Sequence, residues 1–194
     1  MNHKQIKVTV TRQLPEPVET RMKELFDVNL SNSSTPLTRE QLLKNMKDCD
    51  VLVPTIGDKI DSNLIKESGK RLKLIANYGV GFDHIDVLNA SKKGITVTNT
   101  PNVLTEDTAD MAMALILIVP RRIKEGVKKL VDDTWDGWAP NALLGHRIYG
   151  KRLGILGMGR IGQSIARRAK AFGIQIHYHN RNLSLIHISE PTRP

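Results

Sequence analysis

Three features of this 194-residue chain predict an α/β fold built on parallel sheets. β-branched runs alternate with amphipathic stretches over the first hundred or so residues, the same strand-then-helix order restarts at Lys151, and a glycine-rich turn joins strand to helix at that restart. Composition agrees. With 40% hydrophobic and 25% charged residues the chain can bury a core and is not disordered overall, and with only 4% aromatic residues that core is aliphatic. The length admits one large α/β unit or two small ones.

In chain order, strands are expected at Ile6–Val10, Val28–Leu30, Val51–Thr55, Lys73–Ala76 and Ile95–Thr98. Helical segments such as Pro17–Phe26 and Arg39–Lys47 separate them. The second of these has a clear start, with Thr38 as N-cap, Gln41 completing a capping box, and Leu42, Leu43 and Met46 on one face. Such alternation implies a parallel, doubly wound sheet with right-handed crossovers, so residues 1–100 read as one unit.

Thr105 then caps a further helix, with Glu106, Asp107 and Asp110 placed against its dipole and the apolar run Met111–Val119 as its body. The run predicts a helix buried nearly all round, which Pro120 ends or kinks before the basic stretch Arg121–Lys129. It serves either as a hinge between two domains or as a core helix of one larger domain. A loop with Trp135, Gly137, Trp138 and Pro140 follows, and a second unit is expected over residues 101–182.

The net charge of +9 is unevenly distributed: residues 1–120 carry 15 basic and 15 acidic side chains, residues 121–194 carry 14 and 5. The basic part fits an anionic partner or a solvated basic face. Nucleic acid fits poorly, because no basic stretch is interleaved with aromatics and no helix-turn-helix or zinc pattern occurs. The single cysteine, Cys49, has no disulfide partner and no metal-ligand neighbours, and no metal site is expected; this points to a reducing, cytoplasmic setting. Residues 1–10 lack a signal core, and Met111–Val119 is shorter than the roughly 20 residues of a membrane helix, so no membrane association is expected.

The chemistry-bearing motif is Gly157-Met158-Gly159-Arg160-Ile161-Gly162, which matches G-x-G-x-x-G. It follows the apolar run Leu153–Leu156 and opens a helix on which Ile161, Ile165, Ala169 and Phe172 share a face, before a second strand over Ile174–Tyr178. Gly157 allows the tight turn, Gly159 the approach of backbone amides to a pyrophosphate, and Gly162 close packing of helix on strand. Dinucleotide binding is the function this context predicts. An NAD site usually has Asp or Glu about 20 residues past the glycines. Here the region reads His179-Asn180-Arg181-Asn182, and Arg181 suits a 2′-phosphate, which favours NADP(H) over NAD(H).

A second glycine turn, Asn77-Tyr78-Gly79-Val80-Gly81, ends the strand from Lys73 and leads into the next helical stretch. Its amides could face a carboxylate, or it could be a structural turn only. None of His3, His84, His146, His177 and His179 has a carboxylate at a spacing that marks a catalytic dyad. His84, between Asp83 and Asp86, is the one considered for proton transfer, against a plain turn histidine.

Taken together, Leu74–Asp86, Gly94–Pro101, Val103–Asp110 and Leu153–Gln163 resemble the D-isomer-specific 2-hydroxyacid dehydrogenases, and within them the glyoxylate/hydroxypyruvate reductase branch. The resemblance runs from about Lys4 to Asn182. It implies a flavodoxin-like doubly wound substrate domain over residues 1–100, followed by an incomplete Rossmann dinucleotide-binding domain. It implies that Val80 and Gly81 offer amides to the carboxylate of a small 2-oxo acid with Asn77 close by, and that Thr108 lies against the cofactor. Arg160 and Ile161 would cover the pyrophosphate, and Asn180 and Arg181 would surround the adenosine ribose. The Trp135–Trp138 loop resembles an arm through which such subunits form homodimers. The family's catalytic arginine, glutamate and histidine are expected beyond this chain, so the chain alone would bind without turnover. Residues 183–194 depart from the family and look like translated sequencing adaptor, so His187 is given no role.

Overall fold

The structure is a computed structural model that describes residues 6–180; Arg181, Asn182, His3, His187 and the segment 183–194 lie outside the described residues. The chain divides into two compact units between Val103 and Leu104.

In the first unit, β1 (Lys7–Val10), β2 (Asp27–Asn29), β3 (Val51–Val53), β4 (Leu74–Ala76) and β5 (Thr96–Thr98) form one parallel sheet in the order β2-β1-β3-β4-β5. The helices are α1 (Glu16–Leu25), α2 (Arg39–Asp48), α3 (Ser62–Glu67) and α4 (Val87–Lys92). Parallel neighbours require crossovers, which these helices supply. The two-residue side-chain period sends Leu52 and Ile75 to one face, where they meet Leu42 and Met46 of α2, Leu64 and Ile65 of α3, and Ala90 of α4. Val8, Val10 and Val53 go to the other face, against Met22 and Phe26. Both faces are therefore covered, as a parallel sheet needs.

Helix α2 begins as its sequence dictates: Gln41 N–H donates to Thr38 Oγ1 at 3.3 Å, and Thr38 N–H donates to Gln41 Oε1 at 2.9 Å. Each fully buried Leu or Met side chain of this core contributes about 1.5–3 kcal/mol by leaving water. Cys49 is among them, and burial pushes its thiol up to about 11, so it packs as an inert apolar group.

The second unit holds α5 (Thr105–Ile118), α6 (Ile123–Val131), β6 (Arg152–Leu156), α7 (Arg160–Ala171) and β7 (Gln175–His179), with β6 and β7 paired in parallel. Four expectations are corrected here. Thr105 is the first residue of α5, not its cap; Leu104 holds the N-cap position and no side chain caps the helix. Asp110 lies beyond the first turn, and its carboxylate accepts from Arg168 Nε at 2.5 Å. Helix α5 is not buried nearly all round: Ala109 and Met113 are buried against α7 and β7, whereas Met111, Leu115 and Val119 are exposed. An apolar run states what a helix could bury, and a two-stranded sheet covers only one side of it. On α7 the packed face keeps the expected Ile165 and Ala169 but turns toward Gly162 and Ala166, while Ile161 and Phe172 are exposed.

Candidate functional site

The strand order reverses between β1 and β3, and in open α/β sheets that reversal opens a crevice beyond the strands' carboxyl ends. In this chain, polar side chains occupy it. Asp58 is fully buried there, and its Oδ2 accepts from Thr11 Oγ1 (2.5 Å), Thr55 N–H (2.8 Å) and Thr55 Oγ1 (3.2 Å). The Arg12 guanidinium lies 3.9 Å from its other oxygen and donates to Ser34 O. A Cβ on Gly57 would fall 2.7 Å from Arg12 Nη2, so the loop after β3 closes onto the arginine.

One strand further along, the chain leaves β4 through Asn77-Tyr78-Gly79-Val80-Gly81. The backbone carbonyls of this turn are tied down. Gly79 O accepts from Thr100 N–H (3.0 Å) and Asn77 Nδ2 (3.1 Å), Val80 O from Asn99 Nδ2 (2.8 Å), and Gly81 O from Asn77 Nδ2 (2.8 Å). Among the described residues, no acceptor meets the N–H of Val80 or Gly81. Fastened carbonyls beside free amides make a turn that presents positive dipoles, the pattern of a small anion site. Tyr78 and Phe82, both about half exposed, flank it. The stretch after Gly81 is not yet helix: a turn over Phe82–Asp86 precedes α4.

His84 belongs to that turn. Its Nε2 lies 3.0 Å from Asn77 Oδ1. Burial lowers its pKa, with Asp58 and Asp83 pulling the other way. Neither Asp83 nor Asp86 is bonded to it; Asp86 instead caps α4 through Asn89 N–H.

In the second unit, β6 runs into the glycine fingerprint. Gly157 has φ +101°, a left-handed value that glycine adopts without strain, and its N–H donates to His179 O of β7 (2.9 Å). A Cβ at Gly162 would lie 2.3 Å from Gly157 O, so only glycine lets α7 seat against the turn. A Cβ at Gly159 would meet nothing within 4 Å, and Gly159 N-caps α7 without any side-chain cap. The first-turn amides of a 12-residue helix thus open onto free space, which suits a pyrophosphate. Asn180 Oδ1 accepts from Met158 N–H at 2.6 Å, fastening the turn to the end of β7. Of the basic residues on α7, Arg167 and Arg168 are committed to Glu106 and Asp110, whereas Arg160 is exposed and outside that network.

The structure thus groups Asn77, Val80 and Gly81 at one turn, and Gly157, Gly159, Arg160, Ile161, Gly162 and Asn180 at another. Thr108 is exposed on α5. Sequence reasoning missed Asn99, whose place at the end of β5 beside β4 could have suggested it, and the inward bond of Asn180, which nothing in the sequence signals. A surface cleft of about 550 Å³ in the second unit, lined by Arg121, His146, Arg147, Tyr149 and Phe172 among others, contains none of these residues. Among the described residues, no three His, Cys, Asp or Glu side chains cluster to hold a metal, and no helix is long and apolar enough to cross a membrane.

A doubly wound parallel unit followed by strand, glycine turn, helix and strand defines the class: a two-unit α/β protein with a Rossmann-like second unit. Within that class, the chain belongs to the D-isomer specific 2-hydroxyacid dehydrogenase family, whose catalytic-domain model matches residues 8–184. It is 43% identical over 175 residues to the glyoxylate reductase of Korarchaeum cryptofilum, covering 90% of this chain and 52% of that protein. It is 44% identical over 179 residues to that of Pyrococcus furiosus, covering 90% and 53%. Among solved structures, the TT0316 protein of Thermus thermophilus superposes with TM-score 0.86 at 43% identity, covering 93% of this chain and 58% of that one. An NADPH-dependent glyoxylate/hydroxypyruvate reductase of Sinorhizobium meliloti gives TM-score 0.75 at 33% identity, covering 93% and 56%. The chain spans about half the length of the curated relatives it matches.

Proposed function

We propose that the protein to which this chain contributes reduces a small 2-oxo acid, glyoxylate or hydroxypyruvate, to the D-2-hydroxy acid. The observation that carries this reading is the turn at Gly79–Gly81, whose carbonyls are fastened and whose Val80 and Gly81 amides are free. Two such N–H groups match the two oxygens of a carboxylate, and Asn77 holds them in place. NADPH, when bound, supplies the hydride for the carbonyl carbon, and a proton completes the alcohol. The residues of this chain bind and orient: Gly157, Gly159 and Gly162 admit the pyrophosphate, Arg160 and Ile161 cover it, and Thr108 lies alongside. The names of the relatives, glyoxylate reductases, support the substrate class.

NADP(H) is favoured over NAD(H). The ribose 2′-hydroxyl of NAD is usually held by a carboxylate at the end of β7, and this chain has there the amide Asn180, whose Oδ1 already accepts from Met158 N–H. Its Nδ2 is a donor suited to phosphate oxygens, and Arg181 follows it in sequence. By itself the chain is a binding module. Among the described residues no histidine side chain meets a carboxylate, and His84 is paired with Asn77. Exposed Trp135 and Trp138 support a homodimer of the whole protein, and the reduced, buried Cys49 supports a cytoplasmic setting.

Fluorescence titration of the 194-residue chain with NADPH and NADH, followed by an assay of NADPH oxidation with glyoxylate, tests the proposal. Tighter binding of NADPH without turnover is the expected result. Equal or tighter NADH binding overturns the cofactor preference, and turnover well above background overturns the claim that this chain only binds.

A further inference from the structure

We propose that His84 is a positioning residue for the carboxylate turn, donating from Nε2 to Asn77 so that the Asn77 amide stays in the one orientation that fastens Gly79 and Gly81. The inference rests on the reading of that turn as a carboxylate site.

Asn77 is 2% exposed, so its side-chain amide must find all its partners inside the protein. Nδ2 has two hydrogens, and both are used, on Gly79 O and Gly81 O. Turning the amide over would set Oδ1 against those two carbonyl oxygens and leave three acceptors facing one another. The orientation is therefore dictated by the network, and Oδ1 points away from the turn. There it meets His84 Nε2 at 3.0 Å. An amide oxygen only accepts, so Nε2 carries the hydrogen and Nδ1 of the neutral ring is bare. Protonation adds a hydrogen at Nδ1 and leaves the bond to Asn77 in place. Asp58, from the loop after β3, and Asp83, in its own turn, are the charged groups that act on this ring.

The backbone that carries the ring is well anchored. His84 O accepts from Ile60 N–H at 2.8 Å, Ile85 is buried and forms a parallel bridge with Ile60, and Ile85 N–H donates to Phe82 O. A continuous path thus runs from the core through His84 and Asn77 to the carbonyls of Gly79 and Gly81. Those carbonyls fix the peptide planes, and the planes fix where the Val80 and Gly81 amides point. Thr100 N–H and Asn99 Nδ2 also grip the turn, so losing His84 loosens it without destroying it.

The test uses the ¹⁵N-labelled 194-residue chain with oxalate as the carboxylate probe. In the parent, His84 should show the Nε2–H tautomer with a bare Nδ1 at pH 8, the Asn77 side-chain amide should exchange slowly, and oxalate should shift the Val80 and Gly81 amide signals. His84→Ala should speed Asn77 amide exchange and weaken oxalate about tenfold, with the signals of β1 and β3 unmoved. His84→Gln, whose amide N–H can still donate to Asn77 Oδ1, should recover most of both. An Nδ1–H tautomer, or a His84→Ala chain that keeps slow exchange and parental oxalate affinity, overturns the proposal. Silence of the Val80 and Gly81 amides toward oxalate in the parent overturns the carboxylate reading instead, and with it the role of His84 in binding. The tautomer and exchange results would then still decide its hold on the turn.

Discussion

The two units of this chain use the same strand–helix–strand grammar and close it to different degrees. In the first, five parallel strands are covered on both faces, and Leu52, Ile75, Met46 and Ile60 have no solvent exposure. In the second, two parallel strands carry α5 and α7, with Met113, Ala169 and Ile174 as the buried centre and Leu156 87% exposed. Yet the fingerprint turn is fully formed, with Gly157 bonded to His179 and Met158 to Asn180. A dinucleotide-type turn depends on one βαβ contact and is local. A core depends on how many strands share it and is not.

The largest effect expected from this contrast comes from one substitution made in both units. Leu52→Ala removes a fully buried side chain from the middle of the first sheet and should cost about 2–5 kcal/mol. Leu156→Ala, on β6, should change stability by no more than about 0.5 kcal/mol, because that side chain is already in water. Denaturant unfolding followed by circular dichroism reads both. A comparable loss for Leu156→Ala would break the comparison, since it would mean that something covers β6, a second copy of the chain being the first to examine by sedimentation.

The next contrast sharpens the difference at helix starts. Thr38→Ala removes the hydroxyl that accepts from Gln41 N–H, one half of the capping box of α2, and should cost about 1 kcal/mol. Thr105→Ala should cost no more than about 0.5 kcal/mol, because Thr105 makes no capping bond. Equal losses in melting experiments would show that Thr105 takes up a capping role in solution.

These two threonines also show how far the sequence could be read. Thr38 and Gln41 stand three apart before an amphipathic run, a purely local signal, and the structure agrees in each hydrogen bond. Thr105 precedes an equally suggestive acidic turn, but the chain enters α5 one residue earlier. The five strands of the first unit were legible to within two residues because β-branched runs need no distant information. Helix α3 escaped notice and α4 was expected only as a helical stretch after Gly81 without bounds, each being six residues, too short for periodicity, and marked by the capping aspartates Asp61 and Asp86. Gly157 and Gly162 could be read because backbone geometry restricts the residue type there, by a left-handed φ at one and a close approach at the other, whereas Gly79, Gly81 and Gly159 carry neither restriction. The pairing of His84 with Asn77 could not be read, since they stand seven positions apart in irregular turn and either could have faced solvent. Exposure of α5 was hidden for the same reason: composition reports appetite for burial, and only tertiary contacts report whether it is met.

The smallest expected effect concerns charge, and it too separates the units. Asp61 caps α3 through Leu64 N–H and pairs with Arg39 at 2.7 Å; the Arg39 bond foremost, then the helix amide, holds its carboxyl down to about 2. A carboxyl whose pKa is depressed by folding contributes stability that is complete above its unfolded value, near 3.8, and disappears as pH falls through about 2. Glu106 is also held low, by the buried Ser164 hydroxyl first and then by Arg168, but its own side chain is more exposed, so salt screens its ion pair. The melting temperature of the first unit should therefore fall between pH 4 and pH 2 more steeply in the parent than in Asp61→Asn, and part of the difference should persist in about 0.5 M salt, because the Arg39 pair is screened whereas the helix-amide bonds are short-ranged. The corresponding difference for Glu106→Gln should be smaller, because Glu106 accepts one short-ranged hydroxyl bond, from Ser164, where Asp61 accepts two helix amides. If both variants behave alike, the acid sensitivity of the two units has a common origin in net charge, and the cap at Asp61 carries none of it.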